Sequence, residues 1–147
     1  MCKKNDDALM FVCSLIEAIG RQTKRPRSEV VRQLGPDELR RLYEYADVLH
    51  CEPIEKVADD CIHESKLEPG TFDNVHASAY QVPSVFEIGK VYERLIEDLS
   101  AENDDPLDVL VEIYTSWIDV PISDYNIAVY YQPREYLSAS YRAGELL

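Results

Sequence analysis

Apolar residues recur at three- and four-residue intervals through most of this chain, and proline, glycine and capping residues interrupt the pattern. In the first segment the repeat consists of Ala8, Val12, Leu15, Ile16 and Ile19. This spacing places the side chains on one face of an α-helix, whereas a half-buried strand would show strict alternation. The pattern therefore predicts amphipathic helices that bury their apolar faces against one another.

The interruptions divide the pattern into about seven predicted helices. The first starts near Asn5 or Asp6 and ends at Gly20. Gly35 separates the second helix from a third that runs to about His50, because glycine commonly follows the last turn of a helix. The boundaries of the later helices are predicted from a capping box and four prolines: Ser84 to Glu87, Pro53, Pro106, Pro121 and Pro133.

These elements predict an all-α fold, either a helical bundle or two packed helical subdomains, with at most one short strand. The run Tyr125–Tyr131 is typical of either that strand or an irregular aromatic turn. Residues 65–83 contain several turn-forming residues and little periodicity. We therefore predict a linker there, between an N-terminal subdomain, 1–64, and an acidic, tyrosine-rich C-terminal subdomain, 84–147.

Negative charge is concentrated in the second half of the chain. The formal net charge is −13, and residues 64–147 hold 16 acidic side chains but only 5 basic ones. Such a surface repels a polyanion and attracts a basic protein. Nucleic acid is therefore a disfavoured partner, and a basic protein is a favoured one.

We expect the protein to be cytoplasmic and to cross no membrane. Its longest uninterrupted apolar run, Ala8 to Cys13, is far too short for a bilayer span, and no secretory signal pattern is visible. The four cysteines form no Cys-x-x-Cys pair, and reduced thiols are the default in a cytoplasm. Cys13 and Cys61 lie in apolar-periodic stretches and are predicted to be small core residues.

The histidine and cysteine side chains that lie close together in the sequence do not point in one direction. His50 and Cys51 are adjacent, and Cys61 and His63 are two positions apart. On a helix, adjacent side chains are separated by about 100° and alternate ones by about 200°, so neither pair can present two ligands to one tetrahedral ion. We therefore expect no metal-ligating residue and no cofactor.

Catalytic motifs are also sparse. No Gly-x-Ser-x-Gly elbow occurs, although a triad could be imagined from His76, Ser78 and Asp73. Residues this close together in a loop rarely converge as a catalytic triad. We predict no catalytic residue, and one alternative is an uncharacterised enzyme with a diffuse site around His76 and Tyr80.

A further alternative is a small DNA-binding regulator that uses residues 21–50. Two predicted helices in this range are separated by Leu34-Gly35-Pro36, as in a helix-turn-helix. The helix after this turn starts with Asp37 and Glu38, however, and carboxylates there would face phosphates. A solvated connector between helices is the other interpretation of the basic cluster, which consists of Arg21, Lys24, Arg25, Arg27 and Arg32.

Aromatic residues are concentrated late in the chain. Six of the ten tyrosines follow residue 113, and Trp117 lies among them. Tyrosine and tryptophan combine a large contact area with one polar group, and they anchor many protein interfaces. Tyr114 and Trp117 continue an apolar stripe and are predicted core residues. The predicted interaction residues are four other tyrosines: Tyr125, Tyr130, Tyr131 and Tyr136.

Residues 8–63 resemble a bacterial domain family without an assigned function. The similar stretches are Tyr43–His50, with the sequence YEYADVLH, and Ile54–Ile62, with the sequence IEKVADDCI. Members of this family are short helical proteins, often encoded beside proteins similar to ADP-ribosyltransferases. The resemblance therefore implies a toxin–antitoxin-like pairing and assigns no catalytic residue. Residues 84–147 resemble another uncharacterised bacterial segment, through Tyr114–Ile118, Ile122–Asn126 and Tyr130–Pro133.

Together these features favour a non-enzymatic protein–protein interaction module, antitoxin-like in its pairing with a neighbouring gene product. The acidic second half and the late tyrosines are the features that support this hypothesis. A homodimer is a further expectation, because an aromatic patch can meet its own copy across a two-fold axis.

Overall fold

A computed structural model describes the backbone of residues 2–147 and the side chains of residues 7–147. Within this range the chain forms helices and loops without a strand, which confirms the predicted all-α fold class. The run Tyr125–Tyr131 is a turn followed by a short 3-10 helix, Ala128–Tyr131. The α-helices are α1 (Cys2–Thr23), α2 (Arg27–Glu44), α3 (Ala46–Leu49), α4 (Ile54–Ser65), α5 (Asn74–Ala77), α6 (Val85–Leu99), α7 (Pro106–Tyr114), α8 (Asp119–Ile122) and α9 (Arg134–Ala143).

Helix α1 lies at the centre of the fold. Every residue from 11 to 20 is buried, including the polar residues Ser14 and Glu17. The apolar stripe predicted for this helix is therefore only part of its buried surface, because α2, α3, α4 and α6 all contact α1. None of the helices in the described range combines the length and apolar character that a membrane crossing requires.

Local capping signals set several helix boundaries where the sequence predicts them. At the start of α6 the Ser84 hydroxyl accepts a hydrogen bond from the Glu87 N–H at 3.1 Å, and the Glu87 carboxylate accepts one from the Ser84 N–H at 2.8 Å. Pro106 opens α7 directly after its N-cap, Asp105. Gly35 has φ of 78° and kinks α2, in a backbone region that L-residues rarely adopt. These contacts confirm the predicted capping box and the predicted break at Gly35.

Other predicted helix boundaries are wrong. Helix α1 begins at Cys2 and continues past Gly20 to Thr23, and the Gly20 carbonyl accepts a hydrogen bond from the Arg25 N–H at 3.1 Å. Pro121 lies inside α8 instead of ending a helix. As the third residue of α8 it removes an N–H that the first turn of a helix leaves unbonded anyway.

The two predicted halves share one hydrophobic core. Residues 12–19 of α1 and residues 88–96 of α6 contribute to the same cluster of buried side chains, and α1 packs along α6. The predicted linker, 65–83, is mostly irregular and includes the one-turn helix α5. It is attached to the second half where the Asn74 side chain donates a hydrogen bond to the Ser123 carbonyl at 2.9 Å. The linker is therefore a surface segment over a common core.

Candidate interaction surface

The largest buried polar cluster surrounds Arg27, the first residue of α2. Arg27 is only 3% exposed. Its Nε donates to Glu17 Oε1 at 2.5 Å, and its Nη1 donates to Asp119 Oδ1 at 3.0 Å and to Ser123 Oγ at 2.5 Å. Its Nη2 donates to the Tyr125 hydroxyl at 2.8 Å. The guanidinium therefore has a charged or polar partner on each of its nitrogens, as a buried arginine requires.

A second arginine balances the charge of this cluster. Arg21 Nε lies 2.7 Å from Glu17 Oε2, which also accepts a hydrogen bond from Tyr125 at 2.8 Å. Burial by itself raises the pKa of Glu17, but Arg27, Arg21 and the Tyr125 hydrogen bond together hold that pKa below its ordinary value. Burial and the nearby Asp119 raise the pKa of Tyr92, whose hydroxyl donates to Asp119. At neutral pH Glu17 is therefore ionised between two arginines, and Tyr92 and Tyr125 are neutral.

This Arg27 cluster is a structural connection between distant parts of the chain. It joins Glu17 in α1 and Arg27 in α2 to Tyr92 in α6, and to Asp119 and Tyr125 in the second half. Its polar atoms bind one another and are shielded from solvent, so the cluster holds the helices in place and offers no free group to a substrate. A solvated position for Arg27, as one interpretation of the sequence expects, is wrong.

The other basic side chains of residues 21–50 are largely paired with acidic ones. Lys24 Nζ lies 2.9 Å from Asp73 Oδ2, and Arg25 Nη1 lies 2.8 Å from Glu29 Oε1. The last basic residues of the range are also paired: Arg40 with Asp105, and Arg41 with Glu38. These ion pairs leave little unbalanced positive charge for phosphates, so no observation favours the DNA-binding alternative.

The residues of the enzyme alternative do not converge. His76 Nδ1 lies 2.6 Å from Asp73 Oδ2, but the Ser78 hydroxyl donates to the Tyr80 carbonyl at 3.0 Å. The Tyr80 side chain is exposed at 69%. A nucleophile, a base and an orienting acid are thus not connected in the way that a triad requires.

The candidate metal ligands also remain dispersed. Among the described residues, no group of three histidine, cysteine or acidic side chains is arranged to hold an ion. Cys13 and Cys61 are buried, as predicted, and burial raises the pKa of each thiol to about 12. These two thiols are therefore protonated and poorly nucleophilic at neutral pH.

The four predicted interaction tyrosines occupy different environments. Tyr125 is 3% exposed and belongs to the Arg27 cluster, so almost none of its surface is open to a partner. Tyr130 is half-buried against Tyr125, and Tyr136 is half-buried and donates a hydrogen bond to the Leu147 carbonyl. Tyr131 is 66% exposed. Trp117, predicted as a core residue, is 36% exposed because α7 ends before it, whereas Tyr114 is fully buried as predicted.

A groove near the N-terminus offers a larger apolar surface than the late tyrosines do. It lies between the first half of α1, the junction of α2 and α3, and the start of α6, and its volume is about 550 Å³. We call it the N-terminal groove. This volume falls within the range of about 300–1,000 Å³ that is usual for binding pockets. Most of its lining is apolar and consists of Ala8, Met10, Phe11, Tyr43, Ala46 and Phe86.

Phe86 is the most exposed aromatic side chain of the groove, at 53%. It is the second residue of α6, where the capping box of Ser84 and Glu87 fixes the start of the helix. It lies outside the apolar stripe that runs through Ile88 and Tyr92, and this position off the stripe is the sequence signal that could have identified it. An apolar surface of this kind, left open to solvent, is typical of an interaction site.

Acidic residues border the N-terminal groove. Asp7 and Glu44 are exposed at its edge, and the other polar lining residues are Ser14, Asp47 and His50. Among the described lining residues there is no lysine and no arginine. The groove therefore combines an apolar floor with a negatively charged rim.

In comparisons with known proteins, no protein-family model matches the chain, and no curated protein or solved structure is significantly similar to it. The arrangement of the side chains is thus the basis for inferring what the protein does.

Proposed function

We propose that this protein is a non-enzymatic protein-binding module, the antitoxin-like partner of a neighbouring gene product, and that it binds through the N-terminal groove. The observation that carries the proposal is the open apolar groove with its acidic rim. Burying exposed apolar area contributes roughly 25 cal/mol per Å², and an aromatic side chain at the centre of an interface often dominates its binding energy. Phe86 has the size and the exposure for that role.

The charge of the whole chain supports a basic partner. A net charge of −13 attracts a basic protein over long distances and speeds its association. The same charge disfavours contact between two copies of this chain through the groove, because Asp7 and Glu44 of each copy would approach one another. We therefore expect no dimer to form through the groove, and the homodimer expected from the aromatic patch would use another surface.

The buried polar side chains support a binding role over a catalytic one. The polar side chains that lie closest together, around Arg27, are buried and satisfied by one another. Such a cluster supplies rigidity, and a rigid surface loses little conformational entropy when a partner binds.

The test is co-expression with the neighbouring gene product, followed by light scattering at micromolar concentration. We expect a complex whose mass is the sum of the two chains, and a loss of that complex with Phe86→Ser. Val120→Ser is the matched control, because Val120 is exposed at 73% and lies outside the groove. If light scattering finds the two wild-type proteins as separate species, each with the mass of one chain, the proposed function is contradicted.

A further inference from the structure

We infer that the N-terminal groove binds an amphipathic helix with an apolar face and basic flanks. This inference rests on the proposed function and specifies the kind of partner segment that the groove accepts. An apolar groove between helices is a common receptor for a partner helix, which inserts side chains spaced at i, i+3, i+4 and i+7.

The first argument is the shape of the two walls. Of the five residues that α1 contributes, Asp7, Met10, Phe11 and Ser14 are spaced at i, i+3, i+4 and i+7, and Ala8 lies beside them. The facing wall repeats this spacing across the junction of α2 and α3, with Tyr43, Ala46, Asp47 and His50. The α1 wall is therefore one continuous helical face, about two turns or 10 Å long, whereas the facing wall is formed by the end of α2 and the short helix α3. Two such walls side by side leave a trough into which the ridge of a third helix can pack.

The inner end of the groove is closed by the packing of α1 on α6. Ser14 is 1% exposed, and its hydroxyl has no hydrogen-bond partner among the described residues. It lies where α1 meets α6, at the point where a side-chain carbon on Gly89 would come within 2.3 Å of Ser14 Oγ. Most buried hydroxyl groups are hydrogen-bonded. Because the Ser14 oxygen is enclosed where α1 packs on α6, an inserted helix does not reach it and packs instead on Met10 and Phe11.

The second argument is the charge of the rim. The exposed carboxylates of Asp7 and Glu44 belong to opposite walls of the groove. A helix lying between them brings its flanking residues close to both, so lysine or arginine on the flanks is attracted and glutamate is repelled. This charge arrangement favours a basic helix over a second copy of this acidic chain.

The experiment uses three designed peptides of about 18 residues, long enough for five helical turns. The first has leucine on one face and lysine on the other, the second has the same composition in scrambled order, and the third replaces lysine with glutamate. Binding is followed by the methyl resonance of ¹³C-labelled Met10, which lines the groove and is one of only two methionines. Met10→Leu assigns the resonance.

We expect the leucine–lysine helix to shift the Met10 resonance in a saturable way, and the other two peptides to bind at least about tenfold more weakly. Phe86→Ser should weaken binding by about tenfold or more, Val120→Ser should not change it, and D7N/E44Q should reduce its salt dependence. Equal binding of the scrambled or glutamate peptide, or unchanged binding by Phe86→Ser, overturns the inference. If the neighbouring protein still forms a complex while no helix binds, the inference fails and the proposed function stands.

Discussion

At the scale of single residues, the fold depends on Arg27 more than on any surface ion pair. Its guanidinium pairs with both Glu17 and Asp119, which are 3% and 5% exposed. When one member of a buried ion pair is removed, an uncompensated charge remains in the interior, and the cost is far larger than that of losing an exposed pair.

We therefore predict that Arg27→Met lowers the free energy of unfolding by about 3–5 kcal/mol. Arg41→Met is the matched control in the same helix, because Arg41 is exposed and pairs with Glu38 at the surface. The control should cost no more than about 1 kcal/mol. Urea titrations of both variants measure the difference in unfolding free energy. Equal losses would show that the Arg27 cluster contributes no more to stability than a surface ion pair does.

Acid should weaken the same cluster. Because folding lowers the pKa of Glu17, the ionised carboxylate stabilises the folded state above about pH 4.3, the ordinary glutamate value. That contribution is lost as the pH falls toward the lower pKa of the folded state. We predict that the unfolding free energy of Glu17→Gln, measured from pH 6 down to about pH 2, changes less with pH than that of the wild type. Glu29→Gln, at an exposed position, should keep the wild-type dependence.

At the scale of helices, the close approach of α1 and α6 is the contact with the least tolerance. A side-chain carbon at position 89 would lie 2.9 Å from the Ser14 backbone and 2.3 Å from Ser14 Oγ. The buried Ser14 hydroxyl, in contrast, makes no hydrogen bond with the side chains or backbone that the structure describes.

Gly89→Ala should thus destabilise the protein by about 1–3 kcal/mol through overpacking, although alanine is the better helix former. Ser14→Ala should be neutral or slightly stabilising, since it removes an unsatisfied buried hydroxyl. Thermal unfolding of the two variants compares them directly. A stabilising Gly89→Ala would mean that the two helices are not in close contact.

Helix boundaries follow from the sequence where the signal is local. The capping box at Ser84 and the kink at Gly35 depend on residues within one turn, so the pattern predicts both. The end of α1 does not follow in this way. Glycine and proline commonly end helices, but Gly20 and Pro121 each lie within a helix here. The helical hydrogen bonds of α1 continue past Gly20, and Pro121 lies in the first turn of α8, where its missing N–H costs no bond.

At the scale of the whole molecule, the functional features depend on contacts between distant parts of the chain. The hydrogen bond from Tyr125 to Glu17 joins residues 108 positions apart, and no periodicity of either segment indicates it. The N-terminal groove likewise exists because α2, α3 and α6 leave the start of α1, around Ala8 and Met10, partly uncovered. The sequence predicts an amphipathic helix, but which part of its face remains open is decided by how the other helices pack.

Amide hydrogen exchange of the complex, compared with that of the free protein, tests the central claim most directly, because burial of a surface slows the opening of the helices beneath it. The account predicts that binding of the neighbouring gene product slows exchange in residues 7–14 and 43–50, along both walls of the groove. Protection confined to residues 125–136, around the late tyrosines, with no change at the groove would contradict it.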